Sequence, residues 1–394
     1  MDEPKLMLVI LDGLGDRRIK RLGWKTPLES AKTKNMDWMA GRGSLGYYYP
    51  LNPGLPVGSG IAHSLLFGLP PSDYPGRGVF EALGMGFELE KGDLAFRINF
   101  ATLDADNIAI DRRAGRAEDF LKELTDELNK AFKKNPFDKE IVAKSSYGYR
   151  GSIVIKGWNK SVKLPDIDPQ LDGRPVELPE GGDDAKLAKW IFTKSREVLR
   201  ESSYNKKRKE LGVPVANGLL LRGAGIYGAH HKGMMGMKSL GIAKQHLYLG
   251  AARYAGMYTL EERDEARKIP LALENLDSYD FFFVHFKKPD NAGHDGLIYE
   301  KKSAIEEIDK FLKPLRKQEN LTVAITGDHA TPCELKTHSG DPVPLLYWGK
   351  NVPRDDQKKF GERYCLQGGV GQLNASDVLR MLSNLAGRML EVGK

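Results

Sequence analysis

The sequence predicts an α/β fold: a mostly parallel sheet with helices on both faces, interrupted by a smaller inserted α+β domain. Three observations carry this expectation. First, three short apolar runs each lead into an acidic residue: residues 6–11 (LMLVIL) into Asp12, residues 281–286 (FFFVHF) into Asp290, and residues 321–325 (LTVAI) into Asp328. A continuous apolar run closed by turn residues is the pattern of a strand buried on both faces, as in a parallel sheet covered by helices. Second, no histidine lies between His63 and His230. Third, the text inside that gap changes character and alternates strand-like and helix-like segments. The expected division is a discontinuous core of residues 1–87 and 219–394 and an inserted domain of residues 88–218.

In chain order, the first core strand is followed by a Gly/Pro loop, residues 53–63 (PGLPVGSGIAH), that enters a helix. The insert opens with strands at residues 94–103 (LAFRINFATL) and 108–111 (IAID) around a polar turn. Residues 118–132 form an amphipathic helix, with Phe120, Leu121, Leu124, Leu128 and Phe132 on one face. Residues 152–156 (SIVIK) are a strand, 164–182 a Pro/Asp/Gly-rich loop, and 185–211 a single long charged helix. The chain returns to the core at the short apolar strand 217–221 (NGLLL). Residues 240–243 and the remaining apolar runs complete the core. No internal repeat or low-complexity tract is visible.

Hydrophobic content of 41% over 394 residues is globular. No run reaches the roughly 18 apolar residues of a spanning helix. The first apolar run stops too early for a signal peptide, so a cytoplasmic protein is expected. Cys333 and Cys365 are too few for a disulfide framework and read as reduced thiols. The net charge is +7, but Lys and Arg are spread along the chain and no nucleic-acid motif accompanies them. This argues against nucleic acid; a bland basic surface, or attraction of a small anionic substrate, explains the excess better.

Ligands of open parallel sheets sit beyond the carboxyl ends of the strands. Three distant strands can therefore deliver Asp12, Asp290, His294, Asp328, His329 and His338 to one edge. Carboxylate with imidazole suits Mn, Zn or Co. Six ligands exceed one ion and suit two, and paired ions point to phosphoryl transfer. Ser59, entering a helix after glycines, has its hydroxyl near backbone N–H donors, a natural phosphate position. Taken alone it reads as an ordinary N-cap. Its loop is neither a P-loop nor a nucleophile elbow. Beside a metal cluster it becomes the candidate nucleophile. His63, four residues on, is placed to support a ligand. His285 reads as a satisfied buried histidine, and His230 and His231 as exposed loop residues.

Several motifs together carry a resemblance: ILDGLGD from Ile10, KTPLESA from Lys25, Gly58-Ser59 with His63, GRG from Gly76 and FEALG from Phe80. They continue with AFRIN from Ala95, RAGR from Arg113, LRGAG from Leu221, Asp290 with AGHDG, TGDHATP from Thr326 and THSGDPVP from Thr337. The set resembles the alkaline phosphatase superfamily, and within it the archaeal-type cofactor-independent phosphoglycerate mutases, over nearly the whole chain. The resemblance implies an alkaline-phosphatase-like core. It implies two divalent ions, manganese first, with cobalt, zinc or magnesium compatible. Asp12, Ser59, Asp328 and His329 would hold one ion, and Asp290, His294 and His338 the other. Ser59 would carry a phosphoserine while 3- and 2-phosphoglycerate interconvert, with the insert closing over the substrate to exclude water.

Substrate anions need cations, and the insert offers Arg97, Arg113, Arg116 and Arg150, with Lys238 beside a core strand. Gly60, Tyr149 and a short stretch at 255–271 depart from the family pattern. The competing expectations are a phosphate- or phosphonate-ester hydrolase of the same superfamily, a paralogue with an altered substrate, and a non-catalytic metal-binding scaffold.

Overall fold

The computed structural model describes residues 3–228 and 236–389; His230 and His231 lie outside them. The chain divides into two compact units, residues 1–74 with 230–394, and residues 75–229. The described strands, in order, are β1 (Lys5–Leu11), β2 (Ser44–Tyr49), β3 (Leu94–Leu103), β4 (Ile108–Asp111), β5 (Ile141–Ser145), β6 (Arg150–Ile155) and β7 (Arg174–Pro175). They continue with β8 (Gly218–Ile226), β9 (Ser239–Ala243), β10 (Tyr258–Glu261), β11 (Phe281–Phe286), β12 (Leu321–Thr326), β13 (Val343–Trp348) and β14 (Gly371–Asn374).

The first unit is built on a sheet of order β10-β9-β11-β1-β12-β13-β2-β14. Only β13 runs against the rest. The three apolar runs of the sequence are the adjacent strands β11, β1 and β12, and both of their faces are buried. On one face Met7, Val9, Phe282, Val284, Val323 and Ile325 pack against Met36, Met39, Ile269, Ile305 and Ile308 from helices Lys34–Ala40, Lys268–Glu274 and Ile298–Phe311. Helices Ser59–Leu66, His246–Tyr254 and Ala375–Leu385 lie over the other face.

The second unit carries a sheet of order β5-β6-β3-β4-β7, with β8 paired antiparallel to β3. Strand β3 alternates as a half-buried strand should. Leu94, Phe96, Ile98 and Phe100 enter the core, with Leu124, Leu128 and Phe132 of helix Leu121–Phe132 opposite. Arg97 and Asn99 turn to the other face, where helix Arg77–Gly84 approaches so closely that a Cβ on Gly78 would meet Ala95 O at 2.4 Å.

Three expectations need correction. The strand read at 217–221 does not return to the core sheet; as β8 it pairs with β3, and the second unit extends to 75–229 rather than 88–218. The expected helix 185–211 is two helices, Asp183–Glu201 and Ser203–Glu210, because Ser202 turns extended and its hydroxyl caps Tyr204 N–H. The amphipathic helix starts at Leu121, since Phe120 is in the left-handed region. Among the described residues no helix is long and apolar enough to cross a membrane.

Candidate active site

The carboxyl ends of β11, β1 and β12 meet in one place. Asp12 directly follows β1, and its N–H donates to Phe286 O at 2.9 Å. The chain then turns at Gly13 with φ +64°, where a Cβ would lie 2.6 Å from Thr331 Oγ1 and 2.7 Å from Asp290 Oδ1. Only glycine fits there, both for the backbone and for the space. Gly13 N–H and His329 N–H donate to Asp328 Oδ1, each at 3.0 Å. Asp290 and His294 are one turn apart on helix Lys288–Asp295 and so share a face.

Hydrogen bonds fix the tautomers of the histidines. The Thr331 hydroxyl donates its one proton to Asp290 Oδ1 at 2.7 Å, so at 3.1 Å from His329 Nδ1 it must accept. His338 Nδ1 donates to Val57 O at 2.8 Å, and His294 Nδ1 to Lys336 O at 3.2 Å. Each Nε2 is left as a bare lone pair. That of His329 lies 3.2 Å from Asp328 Oδ2 and 3.7 Å from Asp12 Oδ1. Those of His294 and His338 are 3.1 Å apart, and lie 3.5 Å and 3.7 Å from Asp290 Oδ1. Asp12 Oδ1 and Asp328 Oδ2 are buried without a hydrogen-bond partner among the described residues. Around Asp12, Asp328 and His329, all fully buried, lone pairs facing lone pairs are costly unless a cation lies between them. Ligand atoms of Asp12, Asp328 and His329 all fall within 4.8 Å of one another, as do those of Asp290, His329 and His338. The donor set, carboxylate with neutral imidazole, fits divalent metal ions.

The electrostatics agree. Burial pushes the Asp328 carboxyl up to about 8, with the Asp12 charge adding to it. Burial opposes ionisation of Asp12 too, but Lys287, His285 and His329 hold its carboxyl well below the usual range. Burial lowers His329 and His338 to about 4, which keeps both imidazoles neutral and able to ligate. Lys287 donates to Asp12 Oδ2 at 3.0 Å and Asp290 Oδ2 at 2.6 Å. Burial works against its charge, but these carboxylates raise it and it stays cationic.

Ser59 is the first residue of its helix, not the cap. Gly58 holds the cap position, and Ser59 Oγ lies 3.1 Å from His329 Nε2. The capping reading of Ser59 therefore does not hold. His63 Nδ1 donates to Ser59 O at 2.7 Å and lies 3.5 Å from Asp328 Oδ2. A Cβ on Gly60 would sit 2.8 Å from Tyr74 Oη, so a tyrosine occupies the space a side chain there would need. His285, read as a satisfied buried histidine, is buried and bonds Asp12 Oδ2 through its Nε2 at 2.9 Å.

The second unit gathers its own charges. Arg97 and Arg222 are cross-strand partners on β3 and β8, and Arg150 on β6 opposes Asn99. Pairing puts all three on one face. Burial and neighbouring Arg77 lower Arg97 to about 9, against the pull of Glu81. Arg97 Nε and Arg150 Nε are buried without hydrogen-bond partners among the described residues. Burial opposes ionisation of the Tyr149 phenol, but Arg150, Arg113 and Arg97 outweigh it and lower its pKa. Arg116 is exposed at the end of a short turn. Lys238 does not belong with the site. It precedes β9 level with Asp280, at the amino end of the sheet, and its Nζ lies 5.1 Å from the Tyr279 ring. The sequence reading missed Lys287, Tyr248, Thr331, Arg77 and Arg222. Arg77, Arg222 and Thr331 lie inside the quoted motifs GRG, LRGAG and TGDHATP, and Lys287 stands three residues before Asp290 directly after a core strand; Tyr248 carries no such signal.

Comparison with known proteins gives the family. The profile of the 2,3-bisphosphoglycerate-independent phosphoglycerate mutase family matches residues 40–205. A protein of that name from Pyrococcus furiosus is 41% identical, with 100% of both chains covered. The solved structure of the PH0037 protein from Pyrococcus horikoshii superposes with a TM-score of 0.85 at 36% identity, covering 100% of both chains. That of a cofactor-independent phosphoglycerate mutase from Thermoplasma acidophilum gives 0.70 at 30% identity, covering 98% of this chain and 100% of the other. Full-length identity at this level, on a fold whose strand ends converge on one cluster of ligands, makes the chain a member of the 2,3-bisphosphoglycerate-independent phosphoglycerate mutase family.

Proposed function

We propose that the protein interconverts 3-phosphoglycerate and 2-phosphoglycerate through a phosphoserine at Ser59. The observation that carries this is Ser59 Oγ, 3.1 Å from the bare Nε2 of His329 at the start of a helix. Asp12, Ser59, Asp328 and His329 would hold one divalent ion and Asp290, His294 and His338 a second, with Mn²⁺ the first choice. When bound, such a pair supplies charge neutralisation for an in-line phosphoryl displacement and lowers the pKa of a coordinated hydroxyl. The chain's own residues do the rest. Ser59 accepts the phosphoryl group from one glycerate hydroxyl and returns it to the other, so no phosphate is released. The amide N–H groups at the start of the Ser59 helix favour an anion there. Lys287 supplies a fixed positive charge between Asp12 and Asp290. Arg97 and Arg150 offer donors for the substrate's carboxylate or phosphate, with Arg113 and Arg116 adding positive charge at the surface. A cytoplasmic setting fits Cys333 and Cys365, which are buried free thiols.

The test is one assay of the purified protein with Mn²⁺ and 3-phosphoglycerate, following 2-phosphoglycerate and free phosphate together. The expected product is 2-phosphoglycerate, lost on chelation and restored by Mn²⁺. Ser59→Ala should fold normally and lose activity. Free phosphate as the main product, or wild-type turnover by Ser59→Ala, would overturn the proposal.

A further inference from the structure

Asp12 is held in an unusual way for a carboxylate at the mouth of a cation site. Three donors converge on one of its oxygens. Tyr248 Oη donates to Oδ2 at 2.5 Å, His285 Nε2 at 2.9 Å and Lys287 Nζ at 3.0 Å. The other oxygen, Oδ1, is buried with no hydrogen-bond partner among the described residues and lies 3.7 Å from His329 Nε2. Because a carboxylate only accepts, His285 must carry its proton on Nε2. Its Nδ1 is then a bare buried nitrogen, and no hydrogen-bond partner satisfies it among the described residues. The protein leaves that nitrogen unsatisfied in order to point the N–H at Asp12.

Packing makes the arrangement rigid. The Tyr248 and His285 rings stack with centroids 3.6 Å apart and planes 23° apart. His63 closes the group at 4.9 Å from Tyr248 and 5.3 Å from His285, and Phe283 lies 5.6 Å from His63. Tyr248, His285 and Asp12 are 2%, 0% and 0% exposed. Tyr248 comes from a helix and His285 from β11, so two elements fix the rotation of one carboxylate on β1.

We infer that Tyr248 and His285 are positioning residues that lock Asp12 so that Oδ1 alone is presented to the ion shared with Asp328 and His329. An oxygen that already accepts three hydrogen bonds has no lone pair left for a cation, so Asp12 binds through one oxygen. The inference rests on the reading of Asp12 as a metal ligand. It differs from a general packing role because it concerns one of the two ion sites. No contact to Asp290, His294 or His338 is made by Tyr248 or His285 in the hydrogen-bond network described above.

The experiment is Mn²⁺ titration of the chelated full-length protein by calorimetry, for wild type, Tyr248→Phe, His285→Phe and Asp12→Asn. Tyr248→Phe removes only the donor, and His285→Phe keeps a ring in the stack while removing the donor and the bare Nδ1. Wild type is expected to bind two ions. Tyr248→Phe and His285→Phe should each weaken one affinity by roughly tenfold or more, the usual effect of losing a group that orients a ligand, and leave the other unchanged. Their melting temperatures without metal should stay close to wild type, while the upward shift on adding Mn²⁺ shrinks. Wild-type affinity at both sites in both variants, with Asp12→Asn losing one site, would overturn the clamp and leave Asp12 a ligand. Two unchanged sites in Asp12→Asn would overturn the ligand reading and the clamp with it. Equal weakening of both sites would also overturn the clamp, since that is general loosening. If one variant fails to fold, the other carries the same test.

Discussion

Lys301→Met should destabilise the protein far more than the loss of an ordinary lysine, although it lies outside the ligand set. The Lys301 ammonium is fully buried and donates to Asp16 Oδ2 at 2.9 Å, Thr331 O at 2.9 Å and Gly15 O at 3.2 Å. It thus ties the turn after β1 to the turn after β12, and Thr331 is the residue that holds Asp290 and His329. Methionine fills similar space but leaves the Asp16 charge buried without a cation. Removing one partner of a buried pair typically costs about 3–5 kcal/mol. Asp16 keeps two backbone donors, Arg17 N–H at 2.8 Å and Cys333 N–H at 3.2 Å, so the lower end, about 3 kcal/mol, is expected. Adding Asp16→Asn removes the orphaned charge and should recover at least about 1 kcal/mol, the scale of coupling between contacting residues. Equilibrium urea unfolding of the chelated chain, run as a four-protein cycle, measures both quantities. A loss below about 0.5 kcal/mol for Lys301→Met, or purely additive losses in the double variant, would refute the reasoning.

Two further outcomes concern buried charges elsewhere in the chain. Burial pushes the Glu362 carboxyl up to about 8 against the Thr26 hydroxyl bond, with Glu29 and Asp16 adding to the rise. The folded value lies above the ordinary 4.5, so this group's contribution is complete below that pH and is lost as pH climbs through 8; thermal unfolding of Glu362→Gln from pH 5 to 9 should show a flatter profile than wild type. Arg97→Lys should lower kcat/KM for 3-phosphoglycerate by about tenfold or more, because lysine keeps the charge but loses the planar fork; steady-state kinetics equal to wild type would return Arg97 to a structural role.

The parts legible in the sequence are those whose signal is local. Strands β1, β11 and β12 read as uninterrupted apolar runs because both faces are buried, and Asp12, Lys287 and Asp328 follow within two residues of their ends. LAFRINFATL read correctly as β3 because its alternation is a property of one strand. What was not legible depends on partners. The GLLL of β8 announces burial but not which sheet buries it, so it was assigned to the wrong unit. Lys238 lies next to a core strand in sequence, but adjacency does not say at which end of the sheet it falls. Ser202 breaks a helix with a single cap bond, too weak a mark inside a helical pattern. Lys287 stands three residues before Asp290, but nothing local reveals that it also reaches Asp12. Tyr248 gave no sign at all, since its role exists only against Asp12, 236 residues away.

The sheet order has a consequence for how the protein is made. Strand β1 is flanked by β11 and β12, and Leu6 pairs with Phe281 and Thr322. At cellular elongation rates the ribosome needs on the order of half a minute to supply those neighbours. For that time one of the most apolar segments of the chain has both hydrogen-bonding edges open, a template for wrong pairing. The second unit, encoded entirely within the wait, can close on itself first. The first unit then forms only when its two separated halves meet, and Asp12 meets the other candidate ligands in that same event. Assembly of the candidate site and completion of the fold are therefore one step. A chain terminated before β12 would carry a finished insert and an incomplete ligand cluster.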